Sequence, residues 1–473
     1  MPDERQRLFL EGPIGKALLR LAIPIILSNL LQTGYQLTDA FWVGRLGGAA
    51  VAAVAVSFPI TFLSIALGAG LAIAGATLSA QYMGAGRQDM VNHVAAQTML
   101  MVAITSAIMG AAGYVLSPYL LELIGVAPDV YHGAVGFMRV SFVGIIFVFL
   151  YGMFQALMRG VGETKVPLMI VLGTVILNFI LDPLFIFGLG PLPPQGVMGA
   201  ALATLATQGL AAVLGIVIFL RGQHGIQLEW RDFRPDPQYI RRAFFLGLPG
   251  SVELSTRGLG PMFMTFLVTG FGTVSLAAYG IGANILQFIT IPAMGLSMAV
   301  STLVSQNIGA GNVQRAARVT FLGTVWGFVI LSAVGLVAYA FAPALVSFFV
   351  SNDTEVIAEG AHFIRVMCLA WGAIGVQLCI VSAFRASGNL LVAMVIAIVS
   401  QFMFQFPLAY VLSKHTELQA TGIWWSFPVA NVAAALVSVC WFAQGGWKRT
   451  RLTEEDRQAA KVTEETVAEE GIR

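Results

Sequence analysis

The chain has 473 residues, of which 57% are hydrophobic and 11% are charged, and its net charge is +2 at pH 7. A soluble domain carries roughly 25% charged residues, and half that share cannot cover the surface of so long a chain with polar groups. The composition therefore indicates an integral membrane protein and excludes a disordered chain, a disulfide scaffold and a nucleic-acid-binding protein.

Long, continuous apolar stretches predict an all-α fold. Only helices and closed β-barrels satisfy their backbone in lipid, and a barrel would alternate in polarity over segments of about 10 residues. Runs of about 20 apolar residues predict twelve spans. They lie near 17–39, 51–75, 94–117, 134–158, 166–188, 197–220, 242–268, 277–304, 318–342, 360–384, 391–413 and 420–443.

Lysine and arginine set the predicted orientation, in which both termini are cytoplasmic. Most of the 26 basic residues then fall in inside segments. The exceptions are Arg45, Arg139, Arg257, Arg365 and Lys414. Omitting one span would remove this asymmetry, so it supports the even count as well. We expect a multi-pass protein of the cell membrane, inner or plasma.

The two halves of the chain are similar at an offset of 225 residues. Pro24 matches Pro249, and residues 77–86 match 302–311 without a gap, because both segments read Thr-Leu-x-x-Gln-x-x-Gly-Ala-Gly. Glycine in these turns is expected to adopt a positive φ. Six spans followed by six in the same orientation predict two six-helix bundles related by a pseudo-two-fold axis, as in transporters.

The repeat divides the chain into four parts. An N-terminal lobe (1–222) is joined by a cytoplasmic linker (223–240) to a C-terminal lobe (241–447), and a polar cytoplasmic tail (448–473) follows. Substrate is expected to pass between rocking lobes. The sequence has neither a Walker-type glycine loop nor paired histidine ligands, so neither ATP nor a cofactor is expected.

Several motifs resemble those of the multidrug and toxic compound extrusion (MATE) family. They are residues 13–24, Thr38-Asp39-x-Phe41-x-Val43-Gly44-Arg45-Leu46-Gly47, the doubled Gln-x-x-Gly-Ala-Gly, and Arg159-Gly160-x-Gly162-Glu163-Thr164. The resemblance covers the chain as far as Gly446. It implies a secondary active antiporter that exports amphipathic, often cationic organic compounds in exchange for H⁺ or Na⁺.

Carboxylates inside the spans are expected to be functional, because each costs about 2.5–3.5 kcal/mol at mid-helix. Asp39 ends a polar stripe with Asn29, Gln32 and Gln36, spaced by three, four and three residues on one helical face. Such a face is expected to line a cavity or to pack on another polar helix. In the alternative, Asp39 is a cap or loop residue at the membrane edge.

A second carboxylate, Asp182, follows Asn178 by one helical turn, so the two side chains share a face. Pro183 has no N–H and leaves the carbonyl of Phe179 without its helical partner. These oxygens predict a site for Na⁺, or for a proton held with water. In the alternative, the proline marks a structural helix break in which backbone N–H groups satisfy Asp182.

The resemblance implies which residues form the ion site. In DinF-like and archaeal members of the family, the positions that match Asp39, Asn178, Asp182 and Thr204 build it, and all four residue types are present. NorM-type members have an essential acid near Glu253 and a second acid in the tenth span, which this sequence lacks. The chain is therefore placed closer to the DinF-like type.

Two neighbouring carboxylates in a low dielectric cannot both stay charged cheaply, so they are expected to titrate as a unit. Uptake of H⁺ or Na⁺ would neutralise the pair and change its hydrogen bonds to the first span. Pro24 frees the carbonyl of Arg20 and offers that span a hinge, as Pro183 does in the fifth span. Bending of the first span would then weaken drug contacts.

A third carboxylate, Glu253, lies four residues before Arg257, and an internal salt bridge is favoured over a second ion site. Polyspecific cavities combine soft apolar walls with a few polar anchors. The candidates for such a cavity are Gln32, Tyr35, Gln36, Met153, Gln155, Glu253, Asn284, Gln287, Gln401 and Gln405.

Two other functions stay open. A lipid-linked oligosaccharide or lipid flippase of the same superfamily would hold pyrophosphate with several cationic residues, whereas the intramembrane charges here are mainly acidic. A membrane-embedded enzyme would need a reactive constellation of side chains that the repeat gives no reason to expect. The partners expected are the lipid bilayer and small organic cations or amphipathic drugs, without nucleic acid, and the protein is expected to act as a monomer.

Overall fold

A computed structural model gives the structure of residues 4–188, 193–350, 353–450 and 452–453, in which all regular secondary structure is helical. The α-helices are α1 (Glu4–Leu10), α2 (Ile14–Gly44), α3 (Gly48–Gly84), α4 (Gln88–Ile124), α5 (Pro128–Gly160), α6 (Lys165–Phe187), α7 (Val197–Arg221), α8 (Pro237–Thr269), α9 (Thr273–Gly309), α10 (Val313–Ala340), α11 (Ala342–Ser347), α12 (Thr354–Cys368), α13 (Trp371–Ala386), α14 (Leu390–Ile398), α15 (Phe406–Lys414) and α16 (Ala420–Ala443). A π-helix, Val399–Gln405, joins α14 to α15, and 3₁₀ turns occupy Trp230–Phe233 and Gly446–Arg449.

Within these described residues the helices form twelve long helical segments, if α12 with α13 and α14 with α15 are each counted as one. This number agrees with the twelve predicted spans. Ten segments are each long and apolar enough to cross a membrane, and α12 with α13, bent by 49°, makes an eleventh. The twelfth segment, α8, is 33 residues long and contains two internal prolines. Its lower hydropathy comes largely from charged side chains: Arg241, Arg242, Glu253 and Arg257. The prediction of an all-α fold is confirmed.

Local geometry differs from the predicted spans at three places. α2 continues five residues beyond Asp39 to Gly44, so the alternative that Asp39 is a cap or loop residue is wrong. The predicted tenth span is broken between α12 and α13. The predicted eleventh span contains the π-helix, which apolar composition alone does not signal.

The doubled Gln-x-x-Gly motif holds the two lobes together at the predicted cytoplasmic end. α3 and α9 cross so closely that a Cβ on Gly84 would lie 1.9 Å from the carbonyl oxygen of Gln306, and a Cβ on Gly309 would lie 1.9 Å from that of Gln81. Only glycine permits this approach. In the turns that follow, the second glycine of each motif has the expected positive φ, +73° in the first and +79° in the second.

Two hydrogen bonds related by the repeat tie the lobes at this crossing. Gln81 Nε2 donates to the carbonyl of Ala386 over 2.8 Å, and Gln306 Nε2 donates to the carbonyl of Gly160 over 2.8 Å. Each glutamine therefore reaches from its own lobe into the other. All four groups are buried, so breaking either bond would leave polar atoms unsatisfied.

Segments near both ends of the chain cover the same junction. The side chain of Phe9 in α1 is buried, and its carbonyl accepts from Asn307 Nδ2 at 3.2 Å. Leu452 N donates to Gln81 Oε1 at 2.9 Å. The predicted polar tail (448–473) therefore begins with residues that pack on the lobes, while residue 451 and residues 454–473 lie outside the described part of the chain.

The predicted linker (223–240) is anchored to α4. The Gln97 amide donates to the carbonyls of Asp232 and Arg234 over 2.9 and 2.8 Å, and its oxygen accepts from Asp236 N at 2.9 Å. α8 then begins at Pro237, a few residues before the predicted start of the C-terminal lobe, because the Asp236 side chain caps the helix by accepting from a backbone N–H in its first turn.

We predict that Gly84→Ala lowers the midpoint of thermal unfolding of the detergent-solubilised protein, because the new methyl group collides with the backbone of Gln306. Overpacking of this kind costs about 1–3 kcal/mol. Gly34→Ala is the matched control, since a Cβ there meets nothing within 4 Å and replacing a mid-helix glycine stabilises by roughly 0.5–1 kcal/mol. An unchanged midpoint for Gly84→Ala would contradict the close crossing.

Candidate ion and substrate site

A cavity of about 440 Å³ lies among α2, α5, α6 and α7 in the N-terminal lobe. The predicted polar stripe of α2 lines it with Asn29, Gln32, Gln36 and Asp39. The opposite wall combines apolar side chains with amides and hydroxyls. From the remaining helices come, among others, Val148, Tyr151, Gln155, Arg159, Thr204 and Gln208.

Side-chain oxygens meet where α2 packs against α6 and α7. Asn178 Nδ2 donates to Asp182 Oδ1 over 3.0 Å, and both side chains are fully buried. Thr204 Oγ1 donates to Asp39 Oδ2 over 3.5 Å. The carboxyl group of Asp39 faces both Asp182 and Asn178. The structure thus brings together all four residues of the predicted ion site.

Three oxygen atoms of this cluster are buried without a hydrogen-bond partner among the described residues. They are Asp39 Oδ1, Asn178 Oδ1 and Asp182 Oδ2. A buried carboxylate oxygen is costly to leave unpaired. Carboxylate and amide oxygens are the donors that hard cations take, so these residues fit either Na⁺ or a proton shared between the two carboxyl groups.

Thr207 and Gln208 of α7 belong to this site and were not predicted from the sequence. The Tyr35 hydroxyl hydrogen-bonds to Thr207 Oγ1 over 2.7 Å and ties α2 to α7 in a buried contact. Gln208 lines the cavity one turn after Thr204. The available signal was the helical spacing, because Thr207 and Gln208 follow Thr204 by three and four residues and so share its face of α7.

The predicted substrate residues separate by lobe. Gln32, Tyr35, Gln36 and Gln155 line the cavity. Met153 does not, because it is fully buried against Gly75, and a residue two positions from Gln155 points to another side of α5. The C-terminal candidates lie outside this cavity. Asn284 and Gln287 are exposed on α9, and Gln401 and Gln405 lie in the π-helix.

Glu253 is fully buried in an ion-pair triad. It accepts from Arg257 Nε at 3.1 Å, which confirms the predicted salt bridge. It also accepts from Arg385 Nε at 2.9 Å and from Arg385 Nη2. Its proposed place in the substrate cavity is wrong, because two guanidinium groups already occupy the carboxylate. The bond to Arg385 was not predicted from the sequence, because this arginine lies 132 residues further along the chain.

The two hinge prolines lie inside continuous helices. α2 runs through Pro24, and the Ser28 hydroxyl donates to the Pro24 carbonyl over 2.9 Å. α6 likewise runs through Pro183 as far as Phe187. The alternative of a helix break at Asp182 is therefore wrong. Asp182 accepts its hydrogen bond from the side chain of Asn178 and not from a backbone N–H.

The sequence model of the MatE family matches residues 24–184 and 249–411, one match in each half and more than half of the chain together. The chain belongs to the MatE family. The two matches start at Pro24 and Pro249, at the offset of the predicted repeat. This MatE chain therefore has the predicted parallel arrangement of two six-helix lobes.

Other comparisons agree with the family. "Probable multidrug resistance protein YoeA" of Bacillus subtilis (strain 168) is 28% identical over 436 residues, which cover 91% of this chain and 94% of that protein. "FAD transporter" of Shewanella oneidensis is 27% identical over 428 residues, covering 89% and 93%. The crystal structure of MATE in complex with MaL6 matches with a TM-score of 0.89 at 23% identity, covering 95% of this MatE chain and 100% of the other.

Removing the carboxylate of the triad is expected to destabilise this MatE protein strongly. Glu253→Gln leaves Arg257 and Arg385 near each other without a counter-charge, and breaking a buried pair in this way costs about 3–5 kcal/mol. The measurement is the midpoint of thermal unfolding in detergent.

Two comparisons make that measurement specific to the buried charges. The double variant Glu253→Gln with Arg385→Gln should recover part of the loss, because one of the uncompensated cations is gone. Asp89→Asn removes the acid of an exposed pair with Arg87 and should change the midpoint little. Equal midpoints for Glu253→Gln and Asp89→Asn would contradict the structural role of the triad.

Proposed function

We propose that this MatE protein is a secondary active efflux antiporter, which exports amphipathic, often cationic organic compounds in exchange for H⁺ or Na⁺. The observation that carries the proposal is the position of Asp39, which lines the cavity and faces Asp182 and Asn178 at the same time. Ion binding and substrate binding therefore share one side chain. Relatives with names that indicate multidrug resistance support the substrate class.

Coupling follows from the packing of α2. Neutralising Asp39 and Asp182 with H⁺ or Na⁺ removes the repulsion between them and changes the bond that Asp39 accepts from Thr204. α2 carries both Asp39 and the rest of the polar stripe, so a change at Asp39 also affects the cavity wall. Pro24 leaves one helix carbonyl without its usual N–H partner, which makes α2 easier to bend.

The same helix contacts the opposite lobe. A Cβ on Gly295 in α9 would lie 2.4 Å from Ile26 Cγ1 in α2, so α2 cannot bend without changing the contact between the lobes. Movement at the ion site is thereby transmitted both to the cavity wall and to the lobe junction, as alternating access requires. We propose that the protein works in this way as a monomer in the cell membrane, with both termini cytoplasmic and without a cofactor.

The cavity is poorly suited to the flippase alternative. A pyrophosphate group needs several cations around it, whereas the charged side chains that line the cavity are one cation, Arg159, and one anion, Asp39. A polar wall of amides and hydroxyls beside apolar side chains suits varied amphipathic compounds better.

The test is efflux of ethidium from proteoliposomes, driven separately by a pH gradient and by a Na⁺ gradient. Asp39→Asn and Asp182→Asn should each lower the driven rate about tenfold or more, because either change removes an acid that binds the coupling ion. Asp129→Asn, an exposed acid in the first turn of α5, is the matched control and should keep the wild-type rate.

The gradient that drives wild-type efflux identifies the coupling ion. Wild-type rates in both cavity-acid variants would overturn the assignment of the ion site. Efflux that neither gradient drives would overturn antiport itself.

A further inference from the structure

The repeat relates the buried triad of the C-terminal lobe to residues that line the cavity of the N-terminal lobe. Glu253 matches Ser28 at the offset of 225 residues, and Arg385 matches Arg159 at an offset of 226, as Gly388 matches Gly162. Both Arg159 and Ser28 line the cavity. Arg385 is thus paired with a buried carboxylate, whereas the position that corresponds to this carboxylate in the N-terminal lobe carries the uncharged hydroxyl of Ser28.

Arg159 has no acidic partner within the described ranges of the chain. The acid nearest to it in sequence, Glu163, is bound to Arg5 and accepts from Lys165 N over 2.9 Å. The acid that shares the cavity, Asp39, lies eleven residues beyond Ser28 on α2, which corresponds to about 16 Å along a helix. The positive charge of Arg159 is therefore left uncompensated and accessible to a bound molecule.

The end of α5 explains why such a charge is tolerated. Arg159 lies in the last turn of that helix, where the helix dipole favours a cation. This interaction stabilises the guanidinium without using up its hydrogen-bond donors. A planar guanidinium with free donors matches a carboxylate or phosphate group in geometry as well as in charge.

We propose that Arg159 forms an anion subsite of the substrate cavity, which binds the carboxylate or phosphate group of an amphipathic substrate. Gln155 and Thr164 line the cavity next to it and offer further polar contacts. The inference rests on the proposed function, because it names a chemical class among the exported compounds. Zwitterions suit the cavity best, since Asp39 and Arg159 carry opposite charges at separate places in its wall.

The experiment compares two probes that share one fluorophore and differ in whether its carboxylate is free or methylated. Tetramethylrhodamine carries a free carboxylate, and its methyl ester has the same fluorophore without it. Fluorescence polarisation gives the affinity of the full-length, detergent-solubilised protein for each. We expect the wild-type protein to bind the acid about tenfold more tightly than the ester, as one charge-assisted hydrogen-bonded pair allows.

Variants of Arg159 and Ser28 test whether the subsite is the cause. Arg159→Gln should abolish the preference for the acid. Ser28→Glu should abolish or reverse it as well, because it builds into the N-terminal lobe the carboxylate that Glu253 supplies in the other. Ser28→Gln has the same volume as Ser28→Glu without the charge, so the preference should survive there. The midpoint of thermal unfolding in detergent reports that each variant is folded.

The outcomes separate the subsite from the proposed function. Equal affinity of the wild-type protein for both probes overturns the proposed anion subsite and does not contradict the proposed antiport. A preference for the acid that survives both Arg159→Gln and Ser28→Glu overturns it too. Binding of neither probe by the wild-type protein counts against the substrate cavity as a whole, and the subsite falls with it.

Discussion

Asp39 on α2 faces the hydrogen-bonded pair of Asn178 and Asp182 on α6, and the two carboxyl groups meet inside a lobe built mainly of apolar helices. Two such groups cannot both be charged and unpaired there without a large cost, and for this reason we propose that the cluster takes up a cation or a proton. Because α2 also lines the cavity and packs against α9, a change at this cluster reaches both the substrate and the lobe junction.

The two lobes have the same arrangement of helices and differ in the charged side chains that they contain. At the predicted cytoplasmic end the symmetry is retained, since Gln81 and Gln306 make equivalent bonds across the junction. Inside the lobes it is not retained. In the C-terminal triad both guanidinium groups contact the carboxylate of Glu253 in a buried core, whereas the N-terminal lobe leaves Asp39 and Arg159 facing a cavity. We therefore propose binding in the N-terminal lobe, where the charged side chains face a cavity.

What the sequence predicts well is local. Apolar runs predict the helices, and spacing along one helix predicts that Asn178 bonds to Asp182 and that the stripe of α2 shares a face. Contacts between distant segments are different. Arg385 lies 132 residues from Glu253, and periodicity does not say which side of α5 Met153 occupies. Nor does composition show that Phe9 and Leu452 pack into the lobe junction, because their partners are supplied by the fold.

The most direct measurement is the affinity of the purified protein for ethidium as Na⁺ and H⁺ concentrations are varied separately. If ion and substrate share Asp39, one of the two ions should weaken ethidium binding by about tenfold in the wild-type protein. The same ion should have no effect on Asp39→Asn. Ethidium affinity that stays constant in the wild-type protein across both titrations would contradict coupling through this carboxylate.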